Sequence, residues 1–356
     1  MSWQKLYSNK LYLEDVRRVA DNALPWDLLK DKSIMLSGAT GLIGSFLTDV
    51  ILEKNRSSDL NCTVYALTRN EDRAKERFCE NAKDPHLVFV SYDVNLPFEK
   101  DNLGDVAYVL HLASNTHPLQ YSTDPIGTIT TNLFGLKNLL DFAVAHNSKR
   151  FAFASSNEIY GENRGDVELF DEHYCGYIDS NTMRSGYSES KRCGEALCQA
   201  YKVQKGLDVV IPRLTRTYGP TMLRSDTKAI SQFINKCISG EDIVLKSAGT
   251  QFYSYQYVAD SVSGLLTVLL SGESGEAYNI SEESSDITLK DLATLIATSN
   301  GKKVVFEIPD AVEAAGYSKA TKARLDGRKL MKLGWKPQYD IRSGIQRTIR
   351  ILMELE

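Results

Sequence analysis

The chain has few of the features of a secreted, membrane-spanning or nucleic-acid-binding protein. Its 356 residues include six cysteines without a C-x-x-C pair, which indicates neither a disulfide framework nor a common zinc motif. No apolar run approaches the roughly 18 residues of a membrane span, and the first residues, MSWQKLYSNKLYLEDVRR, lack the apolar centre of a signal peptide. The net charge is only −4, without a long basic block. We therefore expect a cytoplasmic protein with reduced thiols and with no nucleic-acid, membrane or metal partner.

Short apolar runs alternate with longer helix-like stretches through the first two thirds of the chain. This alternation predicts an α/β protein with a Rossmann-like, doubly wound parallel sheet, whose carboxyl edge binds ligands. The predicted strands are Ile34–Leu36, Thr63–Leu67, Leu87–Ser91, Val106–Leu112, Phe151–Ser155 and Asp208–Pro212. The predicted helices are Ile43–Lys54, Glu71–Cys79, Thr128–His146 and Arg184–Gln204.

After Pro220 the alternation weakens, which suggests a division of the chain. We predict an N-terminal extension over residues 1–30, helical around Leu13–Ala20. A Rossmann domain that binds NAD(P) is predicted over 31–220 and about 251–270. Residues 221–250 and 271–356 are predicted to form a smaller substrate-binding lobe.

The segment Ser37–Gly44, SGATGLIG, stands at the first strand–helix junction. In this spacing Gly38 permits a tight turn, Gly41 lets the backbone approach a pyrophosphate, and Gly44 lets the helix pack close to the sheet. The N-terminus of that helix would then direct free N–H groups at the phosphates. A tight turn without a ligand is the alternative, but the position of the motif favours a dinucleotide site.

Arg69 and Asn70 follow the second predicted strand, where an acidic residue would favour NAD. A guanidinium there could instead bind a 2′-phosphate, so the sequence favours NADP, with a solvated surface arginine as the alternative. Asp93, after the third strand, is a candidate acceptor for the adenine amino group or a cap of the following loop.

Tyr187 and Lys191 are four residues apart, and this spacing places them on one helix face. A neighbouring ammonium stabilises a phenolate and brings the pKa of a tyrosine towards the range of a useful base. Ser156 ends a strand about 30 residues earlier and could align a substrate alcohol. The three residues predict a site that oxidises or reduces an alcohol beside a nicotinamide.

The chain resembles the extended short-chain dehydrogenases/reductases of the nucleotide-sugar epimerase/dehydratase kind. The matching stretches are SGATGLIGS, VLHLAS, TNLFGLKNLL, ASSNEIYG, YSESK and PRLTRTYGP, in the order of the family. The resemblance implies that Tyr187 takes a hydroxyl proton while hydride leaves the sugar carbon, usually C4. It implies that Lys191 also holds the nicotinamide ribose, that Ser156 contacts the substrate and that Asn132 supports the catalytic helix. It further implies cofactor contacts at Thr40, Leu42, Ile43, Val94, Leu112, Ala113, Ser114, Ala154 and Arg213.

Glu158, two residues after Ser156, resembles the carboxylate of sugar 4,6-dehydratases and UDP-glucuronate decarboxylases. A carboxylate there could move protons once C4 is a ketone, because the C5 proton is then acidic. A polar residue that bonds the loop backbone is the alternative. Asn157 and Arg184 are substrate-binding candidates by the same resemblance, and His117 is either a proton-transfer group or an ordinary loop histidine.

Two positions depart from the family pattern. Tyr253 stands where these enzymes commonly have an arginine, and Arg216 replaces the asparagine usual before T-Y-G-P. Both positions face the substrate in the family, so we expect an atypical substrate held from a different direction.

The sequence leaves the overall reaction open. We favour a redox-neutral enzyme whose 4-keto intermediate is dehydrated, decarboxylated or epimerised. The alternative is a net NADPH-dependent reductase of a nucleotide-linked keto sugar, and a non-catalytic cofactor-sensing protein is a remote third possibility. The helices at 128–146 and 184–204 are expected to form a homodimer interface, as in similar enzymes, although their apolar stripe also fits an ordinary core.

Overall fold

The computed structural model describes residues 3–98, 103–114, 116, 121, 123–307 and 321–356. The helices are α1 Trp3–Ser8, α2 Lys10–Ala20, α3 Leu42–Ser57, α4 Glu71–Arg77, α5 Pro125–Ala145, α6 Ser185–Lys205, α7 Ala229–Ile238, α8 Val258–Ser271, α9 Leu289–Thr298, α10 Arg328–Met331 and α11 Ile341–Glu354. The strands are β1 Ser33–Ser37, β2 Thr63–Thr68, β3 Leu87–Ser91, β4 Tyr108–His111, β5 Arg150–Phe153, β6 Ser155–Ser156, β7 Val209–Leu214, β8 Arg216–Tyr218, β9 Ile243–Leu245, β10 Phe252–Tyr257, β11 Ala277–Ile280, β12 Asp286–Thr288, β13 Val304–Phe306 and β14 Lys322–Ala323.

The main sheet is parallel and follows the order β3–β2–β1–β4–β5–β7–β11, with β6 also paired to β7. From β1 the sheet extends to one side through β2 and β3 and to the other side through β4, β5 and β7. This change of direction leaves a crevice at the carboxyl ends of β1 and β4, where parallel sheets of this kind bind ligands. The predicted doubly wound α/β fold is confirmed.

Alternate residues of the central strands pack on opposite faces of the sheet, because successive side chains of a strand point to opposite sides. Ile34 and Leu110 belong to one hydrophobic cluster, which also contains α3 and α8. Met35 and Val109 belong to the other, beneath α5 and α6. Each strand is therefore apolar at nearly every position and is buried on both faces, as expected for a parallel sheet.

The boundary between the two predicted lobes is wrong in two places. Residues Ala277–Ile280, assigned from the sequence to the smaller lobe, form β11 and extend the main sheet beside β7. Conversely, β8 and β10, assigned to the Rossmann domain, pair with each other in a separate sheet that includes β12 and β14. These strands are only three to six residues long, and such short apolar runs do not indicate which sheet they join.

Residues 3–20 are integrated into the fold. Asp15 of α2 is buried, accepts hydrogen bonds of 2.6 Å from the hydroxyls of Tyr257 and Tyr339, and forms an ion pair of 2.8 Å with Arg347. A second buried carboxylate, Asp49 of α3, binds α1, α2 and α4 through the side chains of Tyr7, Tyr12 and Arg77. Within the described ranges, no helix is long and apolar enough to cross a membrane.

Candidate active site

The glycine-rich turn between β1 and α3 lies at the crevice between β1 and β4. Gly38 has φ +71°, and a Cβ atom there would lie 2.9 Å from the backbone nitrogen of Ala113. A Cβ atom on Gly44 would lie 2.3 Å from the carbonyl oxygen of Gly38. The turn therefore needs glycine at both positions, and α3 begins at Leu42 directly after Gly41. Thr40, Leu42 and Ile43 lie in this turn and the first turn of α3, where free N–H groups fit a dinucleotide pyrophosphate.

A buried hydroxyl–imidazole pair ties this turn to the end of β4. Ser37 Oγ accepts hydrogen bonds from the backbone N–H groups of Leu112 (3.1 Å) and Ala113 (3.2 Å). With both lone pairs used, Ser37 Oγ donates its own hydrogen bond to His111 Nδ1, 2.8 Å away. The proton of the neutral imidazole therefore lies on Nε2. Burial and, to a smaller extent, the nearby Lys191 together lower the pKa of His111 to about 3, so the ring is neutral. Sequence reasoning did not select His111 as a site residue, although it lies within the VLHLAS motif.

The predicted adenosine contacts lie at the ends of β2 and β3. Arg69 and Asn70 are exposed, and the Asn70 side chain caps α4 by accepting from the Arg73 N–H at 2.9 Å. Asp93 Oδ1 accepts two hydrogen bonds of 3.0 Å from Asn95, as in the loop-capping alternative. Val94 is buried against Gly135 of α5. Contact of these residues with a cofactor stays a prediction.

Tyr187 lies near the start of α6 with its phenol buried against β6. The hydroxyls of Ser156 and Ser114 lie close enough to the phenol to interact with it, and this interaction lowers the pKa of Tyr187. Burial and the Glu158 carboxylate have the larger effect, and together they raise the pKa of Tyr187 above its usual value. The structure thus brings together the predicted base and the predicted hydroxyl of Ser156.

Lys191 follows one helical turn after Tyr187 and is 2% exposed. Its ammonium donates a hydrogen bond of 2.8 Å to the carbonyl oxygen of Ala154 and lies 5.9 Å from the centre of the Tyr187 ring. Burial lowers the pKa of Lys191 to about 7. We expected the Lys191 ammonium to lower the pKa of Tyr187, but in this structure burial and Glu158 dominate that pKa.

Asn132 of α5 connects Ser114, which follows β4, to α6, the helix that carries Tyr187 and Lys191. Its side chain accepts a hydrogen bond of 2.7 Å from Ser114 Oγ and donates one of 2.8 Å to Ser190 Oγ on α6. Because Ser190 lies one residue before Lys191, this chain of bonds fixes the position of the helix, as the resemblance implied.

Glu158 and Arg184 form an ion pair at the mouth of the site. Two hydrogen bonds of 2.9 Å join the guanidinium to the two carboxylate oxygens, and Ser188 donates a third of 3.2 Å. Burial raises the pKa of Glu158, but Arg184, Arg216 and Ser188 outweigh it, so the net pKa lies below its usual value. Glu158 is therefore an ionised carboxylate, able to accept a proton. The sequence had proposed separate roles for Glu158 and Arg184, and it did not identify Ser188.

Tyr121, which lies in a segment that resembles the substrate loop of the decarboxylases, contacts both Tyr187 and Arg184. Its ring stacks on Tyr187 with centres 5.0 Å apart, and the Arg184 guanidinium carbon lies 4.9 Å from the centre of the Tyr121 ring. Tyr121 lies between β4 and α5, far from α6 in the sequence, and no spacing rule predicts that its ring contacts that helix.

The remaining predicted site residues are Asn157, Arg213, Arg216, Tyr253 and His117. Asn157 is buried in a short 3-10 helix beside Ser156, and Arg216 stacks on Tyr253. The Arg213 guanidinium donates hydrogen bonds to the Glu195 carboxylate, the Tyr160 hydroxyl and the Glu172 carbonyl, so its donors are used within the fold, and contact of Arg213 with a cofactor stays a prediction. His117 lies outside the described residues.

Comparisons with known proteins agree with this geometry. The profile of the NAD dependent epimerase/dehydratase family matches residues 34–281. The chain belongs to this family. Over 316 residues it is 31% identical to UDP-glucuronic acid decarboxylase 5 of Arabidopsis thaliana, covering 88% of this chain and 86% of the relative. Over 320 residues it is 30% identical to UDP-glucuronic acid decarboxylase 1 of Xenopus tropicalis, covering 89% and 71%.

Solved structures agree with the family assignment. A dTDP-glucose 4,6-dehydratase of Streptomyces venezuelae with NAD bound has a TM-score of 0.75 at 26% identity, over 90% of this chain and 96% of that one. The UDP-glucose 4-epimerase of Thermotoga maritima has a TM-score of 0.76 at 22% identity, over 91% and 99%, and shares the fold. The predicted resemblance is confirmed, and the protein is an NAD-dependent enzyme of the epimerase/dehydratase type.

Proposed function

We propose that the protein oxidises C4 of a nucleotide sugar with a retained nicotinamide cofactor and converts the 4-keto sugar by elimination, decarboxylation or epimerisation. The observation that carries this proposal is the buried Tyr187 phenol, which interacts with the Ser156 and Ser114 hydroxyls and lies one helical turn from Lys191. The relatives named above act, by their names, on UDP-glucuronic acid and dTDP-glucose, which supports a nucleotide sugar as the substrate.

The side chains divide the chemistry between them. Ser156 aligns the substrate hydroxyl, and Tyr187 takes its proton as the carbon–hydrogen bond breaks. The glycine turn and Lys191 would hold the nicotinamide, which would supply the hydride acceptor and, when oxidised, a positive charge that favours the phenolate. Lys191 and Asn132 hold Tyr187 and its helix in place. The proton of the sugar hydroxyl thus passes to an oxygen already in contact with two serine hydroxyls.

Glu158 is proposed to act on the 4-keto sugar. A ketone at C4 makes the C5 proton acidic, and a carboxylate near C5 and C6 can remove or return it. The lowered pKa of Glu158 supports the role of a base, since the group is ionised at neutral pH. Arg184 holds both oxygens of that carboxylate, so it sets the direction from which Glu158 approaches a substrate.

Arg69 supports a second candidate function. It is exposed at the end of β2, where a guanidinium can bind the 2′-phosphate of NADP. We therefore propose NADP as the preferred form of the cofactor, and with it a net NADPH-dependent reduction of a nucleotide-linked keto sugar as the alternative reaction.

The nucleotide released on denaturation distinguishes the two reactions. Chromatography of freshly purified, denatured protein should show nearly one oxidised NAD or NADP per chain if the cofactor is retained. The intact protein should then convert UDP-glucuronic acid, UDP-glucose or dTDP-glucose without added cofactor. Protein that releases no nucleotide but oxidises added NADPH with a keto sugar would favour the reductase.

We also propose a homodimer in the cytoplasm. Two large apolar side chains of α5, Ile126 and Phe134, are 75% and 56% exposed, which supports a covered face on this helix. Light scattering of the purified protein tests the assembly, and a monomeric mass at micromolar concentration would contradict it.

A further inference from the structure

Arg216 is held in an unusual way for a charged side chain. It lies on β8 opposite Tyr255 of β10, and its guanidinium carbon is 3.7 Å from the centre of the Tyr253 ring. At this distance the planar group stacks face to face on the ring, which fixes the plane of its nitrogens. Tyr253 is itself only 7% exposed. The guanidinium is therefore oriented before any ligand arrives.

One nitrogen of this oriented group lacks a protein partner. Arg216 Nη1 is buried and has no hydrogen-bond acceptor among the residues that the structure describes. A buried charged donor without an acceptor is costly, so such a group requires an explanation, and a ligand that completes the bond is one. Arg213, three residues earlier, shows the contrast, because it makes four hydrogen bonds, two of them to Glu195, with which it forms an ion pair.

The charge of Arg216 acts on the reacting end of the site. Arg216 lowers the pKa of Glu158, which places its charge near that carboxylate. The other arginine of the site, Arg184, already gives two hydrogen bonds to Glu158. The two arginines and one carboxylate leave an excess of one positive charge, and Arg216 carries the donor that no described residue accepts.

We propose that Arg216, oriented by Tyr253, is the residue that binds an anionic group of the substrate and thereby determines its specificity. Paired anionic oxygens suit a guanidinium, because its N–H groups form a fixed fork. On a nucleotide sugar such oxygens come either from a carboxylate on the sugar or from the diphosphate. This inference rests on the proposed function only for the nature of the ligand.

Thermal unfolding without added substrate gives the first test. A residue kept for a ligand contributes little to the stability of the free protein, since its donor is unsatisfied there. We expect Arg216→Gln to leave the unfolding midpoint unchanged or to raise it. Arg213→Gln is the matched control and should lower the midpoint by several degrees, because it leaves Glu195 unpaired. A fall for Arg216→Gln as large as that of the control would overturn the proposal.

Calorimetric binding of UDP, UDP-glucose and UDP-glucuronic acid gives the second test and separates the two sources of the anion. Loss of a charged hydrogen bond should weaken binding to the Arg216→Gln variant by about tenfold or more. Weakening with all three probes identifies the diphosphate, and weakening with UDP-glucuronic acid alone identifies a sugar carboxylate. Equal affinity of wild type and variant for every bound probe would overturn the proposal. Failure of the wild type to bind any probe would count against the proposed function, while the unfolding comparison still decides the role of Arg216.

Discussion

Glu158 and Arg184 face each other across the mouth of the site, with both carboxylate oxygens 2.9 Å from the two terminal nitrogens of the guanidinium. The two residues are 26 positions apart, one in a 3-10 helix after β6 and one directly before α6. The arginine keeps the carboxylate ionised although its surroundings are partly apolar. The proposed base and the guanidinium that lowers its pKa are thus supplied by two separate segments of the chain.

Replacing Arg184 should therefore change the pH dependence of the reaction. In Arg184→Gln the attraction is lost and burial of Glu158 remains, so the pKa of Glu158 rises. A base must be ionised to act, and the acid limb of the kcat/KM profile should move to higher pH by about one unit or more. Arg184→Lys keeps the charge and should shift the limb less. Superimposable profiles for wild type and Arg184→Gln would show that Glu158 does not limit the rate.

Glu158 itself is open to an isotope experiment. We expect Glu158→Gln to accumulate a 4-keto sugar or to stop solvent deuterium from entering at C5, as followed by mass spectrometry in deuterated water. Glu189→Gln on the exposed face of α6, where the carboxylate bonds Ser180, is the control and should incorporate deuterium normally. Normal product formation by Glu158→Gln would remove this carboxylate from the mechanism.

Tyr187→Phe should abolish turnover and leave the cofactor bound. The substitution removes only the oxygen that receives the proton, and loss of a general base typically slows a reaction about 100-fold or more. Tyr201→Phe, on the same helix with its hydroxyl bonded to Asp141 on the surface, serves as the control. Nucleotide content and steady-state rate should be measured on the same preparations. Retention by Tyr187→Phe of more than about a tenth of the rate would contradict its role as the base.

Arg69→Asp should move the cofactor preference from NADP towards NAD. The change removes the proposed partner of the 2′-phosphate and adds an acceptor for ribose hydroxyls, and a charged hydrogen bond accounts for about tenfold or more in affinity. Fluorescence titration with both nucleotides measures the ratio of dissociation constants. Arg164→Asp, in an exposed loop, makes the same change of charge and should leave the ratio unaltered. The same ratio in Arg69→Asp and wild type would mean that Arg69 is an ordinary surface residue.

Lys191 should make the protein less stable at low pH than a variant without the charge. Burial lowers the pKa of Lys191 to about 7 in the folded protein, whereas an unfolded lysine titrates near 10.4. Between these values the unfolded chain binds more protons, so this group's contribution to stability rises with pH and is smallest below about pH 7. The unfolding midpoint of Lys191→Met minus that of wild type should therefore increase as the pH falls from 9 to 6. Lys202→Met, further along α6, should show no such trend, and a difference independent of pH for Lys191→Met would refute the explanation.

Much of the central fold follows from the sequence because the relevant forces are local. The run Ser33–Ser37, the glycines after it and the apolar start of α3 each favour their conformation within a few residues, so strand, turn and helix could be predicted together. The pair Tyr187 and Lys191 is set by helical spacing in the same way. The role of Asn132 came from the resemblance, and the structure gives it a physical basis in the bonds to Ser114 and Ser190.

The remaining features depend on contacts between segments that are far apart in the chain. Arg213 resembles a cofactor ligand in its motif, but the structure pairs it with Glu195, a partner that no spacing rule connects to it. Ser188 was missed for the same reason. The assignment of β11 to the main sheet depends on its register with β7, and a four-residue run gives no information about its neighbour.

The hydrogen bonds of Asp15 and Asp49 tie α1 and α2 to the rest of the protein, and this matters for the design of chimaeric enzymes. The region matched by the family profile begins at residue 34, and a fragment cut there would keep Asp49 and Arg77 but lose the tyrosine hydroxyls of α1 and α2 that bond them. It would also remove Asp15, the acceptor for the hydroxyls of Tyr257 and Tyr339, from between β10 and the C-terminal region. Exchange of this enzyme's catalytic region with that of a relative would thus have to carry residues 3–20 along with it.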